Sequence, residues 1–443
     1  MTTTSAGAIV PSADITQWNP EDPKLWQPKL AWRTLWTTTF SLMLGFMVWY
    51  LVSSLAPMLQ NAQIIDQSQG YWLAAMPGLA GGLLRLVWMF LPPVMGTRRM
   101  VIWSTVALMV PMLGWAWILT IPQPPFAGMM FLAFLTGIGG GIFSGYMPST
   151  SYFFPKSRQG VALGLQAGIG NFGVSVVQLL TPILVTIGIF GGSQQLVKTT
   201  KKLVWMQTAP ALIIPLLVIS LILAIAFLKS VPIKANFRQQ IDIFTNKHTW
   251  FMTLEYLLTF GIFSGLAGQF GNVLKELFSV VPTIGWLGGT TIAFLGAFIG
   301  SLARVAWGPF CDRFGGGVWT VVSAVGIAAS TIPVLVSLTT DVKGQKDLVN
   351  IGLFLLGMFL IFFFAGVGNA STFKQMPMIF EPRQAGGVIG WTAAIAAFGP
   401  FLFGVAFDVF PKSGVFTFVL VYALVCAAIA WYFYARPNAE AKS

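Results

Sequence analysis

Arg85-Leu86-Val87-Trp88, with Gly96 eleven residues after the arginine, returns as Arg304-Val305-Ala306-Trp307 with Gly315 at the same spacing. Both arginines sit deep inside long apolar segments. A charged side chain near a bilayer centre costs roughly 3 kcal/mol on insertion scales, so it is retained where it faces a cavity, a partner or a substrate path. Arginine keeps its proton and presents a planar fork of N–H donors, which suits a flat oxyanion. Two of them, one in each half of a repeated chain, predict a clamp on one anion. The alternative is an arginine tied to carbonyls or a carboxylate of its own half, and the symmetry weighs against it. At about 1.5 Å per residue, each arginine lies roughly 16 Å from the turn its glycine opens, near the middle of a ~30 Å hydrocarbon layer.

The 443 residues are 56% hydrophobic and 9% charged, against about 25% charged in soluble domains. An all-α membrane protein is predicted, with spans over 35–60, 70–95, 99–121, 126–154, 158–190, 203–228, 250–272, 284–310, 316–338, 347–378, 384–408 and 413–435. Twelve spans put both termini on one side. Lys and Arg outside the spans favour that side by roughly two to one, which predicts cytoplasmic termini and an inner-membrane, multi-pass protein. The net charge of +12 is thereby read as a topology signal rather than a nucleic-acid surface. The polar first thirty residues lack the apolar core of a signal peptide, so the first span is expected to stay in place. Cys311 and Cys426 lie in or beside apolar segments, which argues against a disulfide framework or a metal centre. The single histidine, His248, stands at a helix entrance in a basic loop, where a solvated or interfacial role is expected.

The polar stretch from Ser230 splits the spans into two sixes. The expected organisation is a cytoplasmic segment (1–34), a first six-helix bundle (35–229), a linker (230–249), a second bundle (250–436) and a tail (437–443). A second correspondence supports the split: Gly137-Ile138-Gly139…Met147-Pro148 aligns with Gly366-Val367-Gly368…Met376-Pro377, and Gly164…Gly173 with Gly390…Gly399 at equal separations. Parallel six-helix repeats predict two pseudo-symmetric bundles that rock about a substrate held at mid-membrane. Gly164, Gly168, Gly170 and Gly173, with Gly390 and Gly399, are expected to let helix backbones approach and slide. Asn171 is the polar residue singled out among them, able to donate and accept at an anion's edge.

At these residues the chain resembles the nitrate/nitrite porter (NarK-like) family of the major facilitator superfamily. The likeness runs from Trp18-Asn19-Pro20-Glu21-Asp22-Pro23 through Phe153-Phe154-Pro155-Lys156 and the glycine-rich block Gly160–Val176. It continues through Ala303-Arg304, Asp312-Arg313-Phe314-Gly315-Gly316 and Ala370-Ser371-Thr372-Phe373. The resemblance implies nitrate and nitrite as substrates, Arg85 and Arg304 as anion ligands, and Phe143, Asn171, Tyr256 and Phe260 as the lining. The second glycine block departs from the family pattern, with Ala393 where a serine can stand and Pro400 where glycine is common.

On this reading the arginine forks hold the edges of a weakly hydrated flat anion while Phe143 and Phe260 close over its faces. Two bare guanidinium groups repel in a dry site, so closure without an anion is disfavoured, which yields nitrate-for-nitrite exchange unless another group carries compensating charge. Glu255 and Lys374 are the candidates for that group: each lies a few residues inside a span at its cytoplasmic end. They are expected at similar depth, either as a structural ion pair or as a proton-coupling pair with Glu255 titrating. Nitrate/proton symport is therefore expected, with antiport or a carrier or channel for another small anion as the alternatives. No metal cluster, nucleophile triad or nucleotide loop suggests an enzyme or a cofactor, and one chain in the lipid bilayer suffices for this architecture.

Overall fold

A computed structural model describes residues 14–189, 194–197, 201–232, 242–278, 289–339 and 347–443. The start of the predicted eighth span (284–288) and part of the linker (233–241) lie outside the described residues. The first six rods are α1 (Pro28–Asn61), α2 (Gln67–Trp88), α3 (Leu91–Ile118), a segmented rod α4–α6 (Phe126–Thr136, Ile138–Gly141, Phe143–Ser151), α7 (Lys156–Leu184) and α8 (Thr208–Phe227). The second six are α9–α10 (Lys247–Tyr256 and Ile262–Leu277), α11 (Phe294–Phe314), α12 (Gly316–Ser337), α13 (Leu348–Ile379), α14–α15 (Pro382–Ala396 and Gly399–Val409) and α16 (Lys412–Ala430). Eleven helices among the described residues are long and apolar enough to cross a membrane. The twelfth rod, α2, is less apolar because it carries Arg85 and a polar first turn.

Local chemistry sets the helix ends. Asp66 and Gln69 cap α2 reciprocally, Asn246 caps α9 and Asp347 caps α13, each meeting an amide that helix geometry leaves unpaired. Gly96 and Gly315 are the two glycines with left-handed backbone among the described residues, at φ 73° and 90°. Both stand eleven residues beyond the paired arginines, so the sequence repeat is also a repeat of backbone corners. An ordinary side chain is strained there.

Some spans end differently from the sequence expectation. The first helix begins at Pro28, whose fixed φ suits an opening turn, and Lys202–Val204 pairs with Gln195–Val197 as an antiparallel hairpin rather than starting the sixth span. The polar N-terminal segment packs onto the bundle. Trp18 and Trp26 donate their indole N–H groups to the Tyr152 and Phe153 carbonyls (2.9 Å each), and the Glu21 carboxylate accepts from the first amide of α7 (2.8 Å).

Between the bundles, α7 packs on α11, and α2 on α14 and α15. On the side opposite the termini the halves are laced together. Gln60 donates to Asn272, Tyr71 to Glu276 (2.6 Å), Trp72 to Asp408 (2.9 Å), and Asn272 to the Gly70 carbonyl (3.1 Å). Toward the termini the contact stops. A Cβ at Gly168 would overlap Val305, and one at Gly390 would touch Met89, but at Gly160, Gly164, Gly308 and Gly386 it would meet nothing within 4 Å. The bundles are closed at the far face and part on the terminal side.

The glycines expected to pack helices divide accordingly. A Cβ at Gly173 would overlap the Met43 carbonyl, one at Gly399 the Gly261 carbonyl, and one at Gly170 the Leu42 side chain. These are close backbone approaches, and the Gly173 and Gly399 pairs are equivalent in the two halves. Gly164 departs from the expectation: one turn beyond the last contact of α7, it faces open space. Gly173→Ala is therefore expected to lower stability by about 2 kcal/mol through overpacking. Gly164→Ala should leave it unchanged or raised. Thermal unfolding of the purified protein in detergent checks both.

Candidate anion site

Arg85, on the last turns of α2, is fully buried. Its Nε donates to the Gly140 carbonyl (2.9 Å) at the break between α5 and α6. Its Nη1 crosses between the bundles to the Ala393 carbonyl of α14 (2.7 Å). The guanidinium lies over three rings, 4.6 Å from Phe143, 5.0 Å from Phe260 and 5.3 Å from Trp49, and Nη2 has no partner among the described residues.

Arg304 makes the reverse crossing. It lies 4.8 Å over the Phe373 ring of α13 and is nearly buried. Its Nη1 donates to the Asn171 side-chain oxygen of α7 (3.2 Å), and the Asn171 amide nitrogen donates to the Ala167 carbonyl (3.3 Å). This amide orientation is the one that gives both groups a partner. Ala167 and Ala393 hold the same place, three residues after Gly164 and Gly390. Each arginine thus addresses the glycine-rich helix of the opposite bundle at the same level. In the second bundle Ala397 stands where Asn171 stands in the first, so no side chain intervenes and Arg85 takes the carbonyl directly.

The other predicted lining residues gather between these cations. Tyr256 caps, and Phe260 belongs to, a π-helical turn, Leu257–Gly261, a feature that often marks functional sites. Their rings stack at 5.4 Å and 4°, and the buried Tyr256 hydroxyl is within electrostatic reach of both guanidinium groups. Phe143 stacks on Phe260 at 6.4 Å and meets Phe373 edge-on. A flat anion between two rings needs about 7 Å, twice a carbon contact distance. In this conformation, therefore, Phe143 and Phe260 rest on each other and on Arg85 rather than framing a slot. No carboxylate pairs with Arg85 or Arg304 among the described residues. Two cations without a carboxylate partner, a spare N–H and a spare hydroxyl, walled by aromatic rings, bring together the chemistry that suits a small anion.

Two expectations are corrected. Lys374 does not meet Glu255: its ammonium pairs with Asp312 at 2.5 Å, half exposed near the end of α11. Glu255 is fully buried, both of its oxygens lack a partner among the described residues, and it faces Tyr422, Cys426 and Tyr434 instead. The two charges point from their helices toward different neighbours. His248 is buried rather than solvated, with Nδ1 3.0 Å from the Tyr434 hydroxyl.

Sequence reasoning also missed Asn369. It is fully buried in α13, with neither amide atom partnered among the described residues. It shares a helix face with Gly366, which abuts Gly300 and Ala303 of α11, and with Phe373 beneath Arg304. Carrying the repeat one residue past Gly368 would have found it, because Asn369 stands where Gly140 receives Arg85.

With this geometry the chain can be compared with known proteins. The Major Facilitator Superfamily model matches residues 38–402. The "Probable nitrate/nitrite antiporter NarK2" of Thermus thermophilus is 51% identical, over 96% of this chain and 97% of that protein. The nitrate/nitrite transporters NarU of Salmonella typhimurium and Escherichia coli are 32% and 30% identical, each over 95% of this chain and 96% of theirs. The crystal structure of tetrameric PepTSo2 in the I4 space group superposes with a TM-score of 0.60 at 11% identity, covering 90% of this chain and 97% of that one; it shares the fold. The chain belongs to the Major Facilitator Superfamily and, within it, to the nitrate/nitrite transporter (NarK-like) family, whose members are membrane transporters rather than enzymes.

Removing an unpaired buried amide relieves a desolvation penalty of about 1–3 kcal/mol. Asn369→Ala should thus leave the unfolding temperature unchanged or raised while weakening anion binding. A fall in both, measured by thermal unfolding and anion titration, would make Asn369 a structural residue only.

Proposed function

We propose that this protein carries nitrate and nitrite across the cytoplasmic membrane by alternating access, with Arg85 and Arg304 clamping the anion between the bundles and both termini in the cytoplasm. One observation carries the reading: each arginine reaches across the interface to the glycine-rich helix of the other half, and neither has a carboxylate partner among the described residues. Nitrate is flat, monovalent and weakly hydrated, so its transfer from water to an aromatic chamber costs less than that of a compact multivalent anion. A bound anion cancels the repulsion between the guanidinium groups and lets the halves draw together on the terminal side. In the proposed orientation the described conformation opens toward the cytoplasm. A single chain contains both arginines and works as a monomer.

The favoured coupling is symport with protons. Moving a monovalent anion against an inside-negative potential costs about 2.3 kcal/mol per 100 mV, and a proton moving with it cancels that charge. Glu255 is suited to hold the proton: a bare carboxylate buried without a partner costs several kcal/mol, and protonation removes the charge. Exchange of nitrate for nitrite is the second reading, favoured by the name of the 51% identical relative.

Arg85→Lys and Arg304→Lys keep the charge but lose the fork, and each should reduce labelled-nitrate transport in proteoliposomes roughly tenfold or more. An inward proton gradient, with no internal nitrite, should drive uptake in the parent protein and fail to do so in Glu255→Gln. Uptake that ignores the gradient, requires internal nitrite and survives Glu255→Gln would establish exchange instead.

A further inference from the structure

Glu255 lies one residue from Tyr256 but belongs to the other face of its helix, behind the anion chamber. His248, Met252 and Glu255 follow one another along α9 on that face, about 10 Å from first to last, and all are buried. The chain of α16 returns beside them and ends in a second π-helical turn, Trp431–Ala435. That turn delivers the buried Tyr434, whose hydroxyl is 3.0 Å from His248 Nδ1 and within electrostatic reach of Glu255. His248 Nε2 in turn lies 3.5 Å from the Glu440 carboxylate, which Lys247 also binds at 2.7 Å and which is half exposed on the terminal side. Lys247 beside it holds the Glu440 carboxyl below the usual carboxylate range, so it is an ionised acceptor near neutral pH. The other titratable groups around α9 are Tyr422 and Cys426 on α16, Asp242 below its first turn, and Lys374 on α13, which Asp312 engages.

We infer that Glu255, Tyr434 and His248 form a proton branch that connects the core of the second bundle to the cytoplasmic surface at Glu440, separate from the anion path. It rests on the symport reading and specifies how that proton leaves. The transfer balances within these groups. The Glu255 side chain, which at rest has no hydrogen-bond partner among the described residues, turns its carboxyl to the Tyr434 oxygen, and its proton passes there as the Tyr434 proton passes to His248 Nδ1. The Nε2 proton of His248 then moves to Glu440 and on to water. Glu255 ends ionised and Glu440 ends ionised and open to solvent, while the imidazole ends as its Nδ1–H tautomer. It resets when the ring turns away from Tyr434, releases the Nδ1 proton to water and takes one up at Nε2. An anion path lined by two cations is a poor route for a proton, so a branch on the far face of α9 spares the proton that repulsion. The adjacent Tyr256 ties the charge on Glu255 to the arginine pair.

The test uses the full chain in proteoliposomes holding a pH-sensitive dye, with Tyr434→Phe, His248→Gln and Glu440→Gln compared to the parent. Internal acidification accompanying nitrate uptake should fall roughly tenfold or more in the first two variants and about threefold in the third, while nitrate-for-nitrite exchange stays within about twofold, as expected when only a proton relay is cut. Exchange also reports correct folding, and Tyr434→Phe keeps the ring, so a packing role alone would leave acidification intact. Acidification lost in Glu255→Gln but unaltered in all three variants overturns the branch alone. Nitrate uptake without acidification in the parent, or acidification that survives Glu255→Gln, overturns the symport reading and the branch with it.

Discussion

Two permanent positive charges buried at mid-membrane without a carboxylate partner constrain the rest of this molecule. Taking a cation out of water costs several kcal/mol even after relaxation. The protein meets that cost with carbonyl dipoles and ring faces: Gly140 and Ala393 accept from Arg85, Asn171 from Arg304, and Trp49, Phe143, Phe260 and Phe373 turn their faces to the guanidinium groups. A carboxylate there would cancel the net positive charge. Carbonyls and rings stabilise the cations while leaving net positive charge in place, so the interactions that make the fold tolerable are also those the proposed anion site requires.

The carbonyl ligands also explain where the chain needs small residues. A helix carbonyl keeps a second lone pair after binding the next turn's amide, as at Ala393, which also accepts from the Ala397 N–H (3.2 Å). A donor from another helix reaches such a carbonyl where small residues leave it uncovered. Gly140 sits at the broken rod between α5 and α6, and Ala393 lies one turn before the interruption at Ala397–Phe398 that separates α14 from α15. At the same level Gly168 and Val305, and Gly82 and Phe398, are pressed together across the interface. One turn nearer the termini that pressure vanishes at Gly164. Small residues above the arginines thus seal the interface, and those below border the opening.

Much of this was legible in the sequence. Composition and the spacing of apolar segments indicate a twelve-rod membrane protein, and the arginine–glycine spacing locates both the buried cations and the two left-handed corners, because burial cost and backbone sterics act on single residues. Pairing was less legible. Whether Lys374 meets Glu255 or Asp312 depends on the rotation of α13 about its own axis and on which helix lies alongside, and sequence depth carries neither. The Ala393 carbonyl is a backbone group and leaves no mark in a residue type. His248 read as a loop residue because the return of Tyr434 from nearly two hundred residues away, |i−j| = 186, cannot be seen locally. Asn369 was legible in principle, since the repeat extends through it, but a lone amide in an apolar run resembles ordinary helix packing until its unpaired atoms are seen.

The repeat is informative where it fails. Arg85 and Arg304 are equivalent, yet their surroundings differ at two matched positions: Asn171 against Ala397, and Gly140 against Asn369. Each bundle therefore supplies one buried amide, but from a different helix, α7 in the first and α13 in the second. An amide can donate to an anion or accept from a guanidinium, so it serves either occupant of the chamber, whereas a carbonyl serves only the guanidinium. When an anion draws the forks toward itself, Asn171 can turn its nitrogen to that anion, while the Ala393 carbonyl must give up Arg85 or hold it back. In the proposed cycle the grip of Arg85 on Ala393 is then a competitor of the substrate, and it is one of the bundle-bridging contacts an arriving anion has to loosen. The second bundle also holds Glu255 next to Tyr256, so the half whose backbone restrains Arg85 is the half in which a proton would change the local charge. The proposed symport would be coupled there, where one helix carries Tyr256 beside the cations and the buried Glu255 carboxyl next to it.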